Sequence, residues 1–313
     1  MTLPTGEQFD LETTTASGEL RATITAVAAA IRTLTIDGVD LVPPYAEDRT
    51  PPSGAGIVLV PWPNRIRDGR WTDESGEVHQ LAITEPKLDN AIHGLLRYAE
   101  YRVVERERDS VTLAATVYPQ LGYPYTLGTA VKYELVADGL KVTHYLENQG
   151  GEAAPVAVGT HPFVKIGGVS TDDLVLRLDA SSHIEVDDRL LPTGEVPVDG
   201  TGFDFREGRR VGDVQLDDAF GELAADDDGI IEHTLTAPDG REVAVWAEEE
   251  FGYVQVYTTR EFPGEDGQQA IAVEPMTAPA EAFNSGRGLR LLDPGEEWRA
   301  SWGIRFRGFT AAE

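Results

Sequence analysis

Hydrophobic and polar residues alternate with a period of two along most of the chain, and Gly, Asp and Pro interrupt the alternation at short intervals. The clearest unit runs from Thr129 to Val136, turns at Asp138-Gly139 and returns as Leu140 to Leu146, with Leu140, Val142, His144 and Leu146 on one face. Ile231 to Ala237 and Arg241 to Trp246 flank Asp239-Gly240 in the same way, and Arg102 to Glu107 and Val111 to Val117 flank Arg108-Asp109-Ser110. Seven Asp-Gly pairs begin at Asp37, Asp68, Asp138, Asp199, Asp228, Asp239 and Asp266. Such pairs favour tight turns between antiparallel strands. No long segment keeps the helical spacing i, i+3, i+4, i+7, so helices are expected only as short caps on loops, for instance near Asp217 to Leu223. The Pro-rich piece Pro43 to Pro63 contains the apolar run Ile57 to Val60 and is no linker, and no internal repeat occurs. The pattern predicts one large all-β domain over residues 1–313, a sandwich or a barrel, in which antiparallel pairing dominates.

Composition narrows the function classes. At 313 residues with 41% hydrophobic, 8% aromatic and 26% charged positions, the chain has the make-up of a globular protein with a sizeable core. A net charge of −28 repels nucleic acid and anionic membrane surfaces, so neither is an expected partner. The absence of cysteine removes disulfides, thiolate nucleophiles, zinc ribbons and iron–sulfur clusters. Met1 to Asp10 has neither a basic start nor an apolar core, and no stretch approaches the ~20 apolar residues of a membrane helix, which gives a cytoplasmic expectation.

Candidate chemistry centres on Ala270-Ile-Ala-Val-Glu-Pro-Met276. The four apolar residues read as a buried strand, and Pro275 is expected to take the chain out of the ladder just after Glu274. A Glu buried there needs a partner, and a ligand hydroxyl would serve. Among six histidines, His144 and His233 share faces with apolar neighbours and read as core residues, while His79 and His183 sit beside polar residues and read as surface. His93 and His161 stand among Gly and Pro that end strands, where functional residues concentrate. Arg65 offers a fixed fork of donors in the segment Pro61 to Trp71, against the plainer reading of a surface ion pair with Asp68 or a Glu. Asp217 precedes an apolar pair and suits a ligand contact or a helix N-cap equally. Gly54-Ala-Gly56 lacks the third glycine of a dinucleotide loop, and Gly-x-x-x-x-Gly-Lys, Gly-x-Ser-x-Gly and His-Glu-x-x-His are missing. Asp226-Asp-Asp228 is too short for a calcium loop. No metal, nucleotide or other cofactor is implied.

Asn64-Arg65-Ile66 with Gly69, Ile92-His93-Gly94, Gly159-Thr160-His161-Pro162-Phe163, Asp217 with Phe220, and Glu274-Pro275-Met276-Thr277 with Ala282-Phe283-Asn284 follow one another in an order and spacing that resembles the aldose 1-epimerase (galactose mutarotase) family. The resemblance implies a large antiparallel β-sandwich with a sugar site in an open cleft. It implies Glu274 as general base on the anomeric hydroxyl and His161 as general acid on the ring oxygen, with Asn64, Arg65, His93 and Asp217 holding sugar oxygens. The expected partner is an aldohexose, and the protein itself a monomer or homodimer. A modest upward pKa shift of His161 from nearby carboxylates is expected to keep it a proton donor at neutral pH.

His93-Gly94 continues as Leu95-Leu96-Arg97, which is closer to a bacterial branch that includes sulfoquinovose mutarotase-like proteins. There Arg97 would meet an anionic substituent. Other readings are a mutarotase for a sulfonated or phosphorylated hexose, a sugar-binding or sensing domain of the same fold without turnover, and a glycoside hydrolase using Asp217 and Glu274.

Overall fold

A computed structural model describes residues 2–265 and 267–309; the Asp-Gly pair at Asp266 lies outside them. Two large antiparallel sheets make up most of the molecule. The nine-stranded sheet has the order Arg102–Arg106, Ser110–Val117, Leu127–Val136, Gly139–Asn148, Glu297–Arg307, Glu242–Glu248, Ile230–Thr236, Val175–Leu178 and Arg209–Arg210. The other, eight-stranded, runs Pro192–Pro197, Ala180–Val186, Asp217–Leu223, Tyr253–Thr259, Ala270–Met276, Gly159–Thr160 and Val58–Leu59, with Phe163–Val164 also pairing on Ala270–Met276. A four-stranded sheet over residues 8–40 stands at the N-terminal end.

The three hairpins expected from alternation form, including Thr236 opposite Glu242 around Asp239-Gly240. Asp37-Gly38 closes a further one, Ile36 opposite Val39. Asp228-Gly229 instead lies where the chain passes from the strand Asp217–Leu223 in one large sheet to Ile230–Thr236 in the other. The alternation also explains the layering. Val254 and Val256 from the eight-stranded sheet join Val243 and Val245 from the nine-stranded sheet in one hydrophobic cluster reaching from Phe9 to Phe306. Tyr253, Gln255 and Tyr257 therefore face the other way, because successive side chains of a strand point to opposite faces. The same parity sends Ile271 and Val273 into the cluster and Ala272 and Glu274 to the face that carries Gln255.

Four expectations are corrected. Asp217–Leu223 is a strand, not a short helix: its alternation places Phe220 in the core, and pairing on both edges outweighs any local capping preference. The only α-helix among the described residues is Ala282–Ser285. Pro275 does not end the ladder but lies within the strand, opposite Val254. The Val273 and Thr277 amides donate towards Pro162 and Val158, so the position between them faces an interrupted neighbouring strand, where a residue without an N–H leaves no bond unmade. His79 and His183 are buried, not on the surface. Each keeps its polar edge on a carboxylate, Asp73 and Asp218, both at 2.8 Å, and stacks its ring on Trp71 or Phe203. None of the described helices is long and apolar enough to cross a membrane.

His144 and His233 lie inside the nine-stranded sheet, and burial lowers their pKa values to about 3 and about 4. In the unfolded chain both return to ~6.5. Between these values only the unfolded state takes up the protons, so the stability they contribute is present above pH ~6.5 and is lost as pH falls below it. The melting temperature should drop between pH 7 and 5, and His233→Leu should make that drop smaller. Thermal denaturation across the pH range measures both.

Candidate active site

Ser53, Asn64, Arg65, Ile92, His93, His161, Asp217, Gln255, Tyr257 and Glu274 line a cavity of about 230 Å³ on the outer face of the eight-stranded sheet. That is the volume of roughly eight waters at ~30 Å³ each, on the scale of one pyranose with its hydroxyls. Its floor is three neighbouring strands. Gln255 pairs with Glu274 and Tyr257 with Asp217, so parity alone brings a carboxylate, an amide, an aromatic ring and a second carboxylate to one surface.

The walls come from loops in unusual backbone conformations. His161 and Pro162 fill the gap between Gly159–Thr160 and Phe163–Val164, with the His161 ring stacked on Phe163 at 5.5 Å. Asn64 and His93 both take left-handed conformations, at φ 56° and 62°, which are tolerable for Asn and costly for His. Reciprocal bonds hold them: the His93 amide donates to Asn64 O at 3.0 Å, and the Asn64 amide donates to His93 Nδ1 at 3.3 Å. Gly94, at φ 71°, lets the chain turn at once against Val60, whose carbonyl oxygen a Cβ would meet at 2.0 Å.

A continuous polar network crosses the cavity. Asn64 Nδ2 donates to Gln255 Oε1 at 3.0 Å, and Gln255 Nε2 donates to Asp217 Oδ1 at 2.7 Å. The other Asp217 oxygen faces Arg65 at 3.4 Å. Arg65 is gripped from behind by Glu85, which accepts from Nε and NH2 at 3.0 Å and is itself held by Asn90 Nδ2 at 3.0 Å. Arg65 is thus buried and doubly paired, and its surface reading falls away.

Glu274 and His161 are both nearly inaccessible, with Glu274 Oε1 3.3 Å from His161 Nε2. Burial pushes the Glu274 pKa well up, and Asp217 adds to the rise. Burial likewise lowers His161 to about 4, helped by the positive charges of Arg97 and Arg65. The expected upward shift of His161 is therefore reversed, because lost hydration outweighs the neighbouring carboxylates. Burial thus favours the uncharged form of each group, a protonated Glu274 and a neutral His161. His93 is driven well below its usual value by burial, then by His161, Arg97 and Arg65. It stays neutral, and since Nδ1 accepts from Asn64, Nε2 carries the hydrogen that can be donated.

All six residues proposed from sequence thus line one cavity, although their strands and loops are scattered from residue 64 to 274. Arg97 does not line it. Its guanidinium donates to Ile92 O and to Tyr98 Oη at 2.6 Å, while its charge still reaches His93 and His161. Gln255, Tyr257, Ser53 and Glu85 were missed. The run Tyr253-Val-Gln-Val-Tyr257 carries a signal for two of them, since alternating Val residues leave Gln255 and Tyr257 together on the opposite face.

Architecture and cavity together define the galactose mutarotase-like class. The fold is shared with the GalM/aldose epimerase homologue from C. elegans (TM-score 0.82, 20% identity, covering 96% of this chain and 99% of that one) and with galactose 1-epimerase from Lactobacillus acidophilus NCFM (TM-score 0.75, 21% identity, 96% and 98% covered). The chain belongs to the aldose 1-epimerase family, whose model matches residues 11–305. It is 36% identical over 290 residues to protein YihR of Escherichia coli strain K12, covering 92% of this chain and 91% of that protein. Human galactose mutarotase is 30% identical over 159 residues, 49% of this chain and 45% of its own.

Glu85→Ala would leave the buried Arg65 charge with Asp217 alone. The expected loss of stability is roughly 2 kcal/mol, below the ~3–5 of a fully buried pair because Asp217 remains. Chemical denaturation reads it.

Proposed function

We propose that the protein interconverts the α and β anomers of an aldohexose by acid–base ring opening and reclosure, as a cofactor-independent isomerase. The observation that carries this reading is the buried Glu274–His161 pair, 3.3 Å apart at a cavity sized for one sugar. Family membership and the mutarotase and epimerase names of the human and Lactobacillus proteins support it.

Ring opening removes the proton from the anomeric O1 and delivers one to O5, as the O1 electron pair forms the aldehyde carbonyl and the C1–O5 pair moves to O5. Glu274 takes the first proton and His161 supplies the second. The pair starts with a single proton, and its passage from Glu274 to His161 readies both groups. Sugar hydroxyls donating to Glu274 favour that shift by stabilising the carboxylate. Rotation about C1–C2 presents the other carbonyl face, O5 attacks it, and the two groups exchange roles to close the opposite anomer. The His93 Nε2–H supports the ring oxygen or its neighbour, and Asn64, Arg65 and Asp217 fix the remaining hydroxyls.

Arg97 favours a second reading of the sugar. It has no carboxylate in ion-pair range among the described residues, and its charge reaches both histidines. A hexose carrying an anionic group, such as a uronic or sulfonated sugar, would neutralise it.

Polarimetry on freshly dissolved α-D-glucose, α-D-galactose and a hexuronic acid should show faster equilibration of at least one of them. Glu274→Gln and His161→Gln should each lower kcat by ~10²–10⁴, the usual share of one general acid or base. Binding without anomer exchange would instead identify a sugar sensor. Both charge limits follow from the single shared proton. kcat/KM should fall as pH drops towards about 4, where His161 takes a second proton and no acceptor is left. It should fall again at alkaline pH once the raised Glu274 proton is gone. A flat profile across both limbs overturns the one-proton mechanism.

A further inference from the structure

The strand Arg65–Arg67 carries an arginine of the cavity yet has one partner strand among the described residues, Asn90–Ile92. In an antiparallel pair, residues that exchange bonds alternate with residues whose N–H and C=O point to the other edge. Asn64 bonds across the pair, accepting the His93 amide at 3.0 Å, and Ile66 is the next residue in bonding position, opposite Ala91. The backbone groups of Arg65 and Arg67 therefore face the opposite edge. Glu281 meets them there. Its amide donates to Arg65 O at 2.7 Å, and its carboxylate Oε1 accepts from the Arg67 amide. One residue thus supplies both the donor and the acceptor that a second neighbouring strand would have offered.

The surroundings of Glu281 hold it in this task. Its backbone is left-handed, at φ 63° and ψ 20°, a conformation that is costly for a residue with a Cβ. The Asn284 and Ser285 amides donate to its carbonyl at 3.0 and 2.8 Å, and Asn284 Nδ2 donates to its Oε2 at 3.2 Å and to Arg70 O at 2.9 Å. No cation pairs with the carboxylate among the described residues, and the Arg67 guanidinium goes to Asp187 instead, at 3.1 Å. Glu281 also belongs to the segment that leaves the Glu274 strand, Ala270–Met276. Thr277 fastens that segment to the chain leading to His161: its amide donates to Val158 O, and its Oγ1 accepts the Val158 amide, both at 2.9 Å. Through Glu281, the strand bearing Arg65 is tied to the segments bearing Glu274 and His161. Resting on the mutarotase reading above, we propose that Glu281 is a positioning residue, which stands in for a missing strand and sets Arg65 and Asn64 relative to the Glu274–His161 pair. It acts on sugar binding and not on proton transfer, because Arg65 and Asn64 hold hydroxyls in ground state and transition state alike.

Two conservative variants separate reach from charge. Glu281→Gln keeps the Oε1 acceptor and loses the charge, whereas Glu281→Asp keeps the charge and draws the acceptor back by one methylene. Anomer exchange is measured on α-D-glucose, α-D-galactose and a hexuronic acid. For each sugar that the wild type equilibrates, Glu281→Asp should raise KM about tenfold with kcat within about twofold, and Glu281→Gln should keep both within about twofold. A KM raised in Glu281→Gln, or unchanged in Glu281→Asp, overturns the proposal, as does a loss that falls on kcat alone. Amide hydrogen exchange reads the contact with no sugar present: the Arg67 amide should exchange about tenfold faster in Glu281→Asp and at the wild-type rate in Glu281→Gln. Equal exchange in Glu281→Asp and the wild type overturns the grip on the strand. Absence of anomer exchange on all three sugars in the wild type would instead sink the mutarotase reading, and the Arg67 amide then decides by itself whether Glu281 holds the strand.

Discussion

The burial of two titratable groups in contact is the constraint around which this molecule is arranged. A carboxylate and an imidazole have been taken almost wholly out of water and placed 3.3 Å apart. Neither tolerates its charged form well alone, as the opposite displacements of Glu274 and His161 from their ordinary values show. Burial favours the neutral form of both members of the pair. Keeping it dry requires a strand covered on both faces. Ala270–Met276 is buried at every position, by the intersheet core on one side and by the cavity walls on the other.

Around that couple, the remaining polar groups are held without leaving their charges unopposed. Glu85 and Asp217 share Arg65, Gln255 links Asp217 to Asn64, and Asn64 fixes the His93 ring nitrogen that must accept. Asn64, Gln255, Asp217 and Arg65 are thus each oriented by a side chain on another strand or loop, and His93 by the Asn64 amide. The left-handed conformations of Asn64 and His93 fit the same scheme. Their backbone cost is offset by reciprocal bonds that also set the tautomer of His93.

Much of this was legible in the chain. Period-two alternation gave the hairpins, and strand-ending Gly and Pro separated His93 and His161 from His144 and His233. Glu274 stood out because a carboxylate interrupts an apolar run. The misreadings have a common cause. His79 and His183 looked exposed because their sequence neighbours are polar, yet each is buried against an aromatic ring and an acid brought by another segment. Asp217 looked like a helix cap because local propensity says nothing about the two strands that pair beside it. Gln255 had only the alternating Val neighbours to mark its face; its register opposite Glu274 gives it a role.

By itself, then, the sequence determined the strand periodicity, the absence of thiol chemistry, the acidic surface and the identity of the groups able to move protons, because these depend on residue type and local order. Tertiary structure alone decided which of those groups meet, and it reversed the expected direction of the His161 shift. Pairing register chose the neighbours of Glu274 and Asp217, and the packing around Glu274 and His161 removed the water from those two. Hydration is a property of the assembled surroundings, so the affinity of a buried imidazole for its proton is set by the fold and not by the residues adjacent to it in the chain.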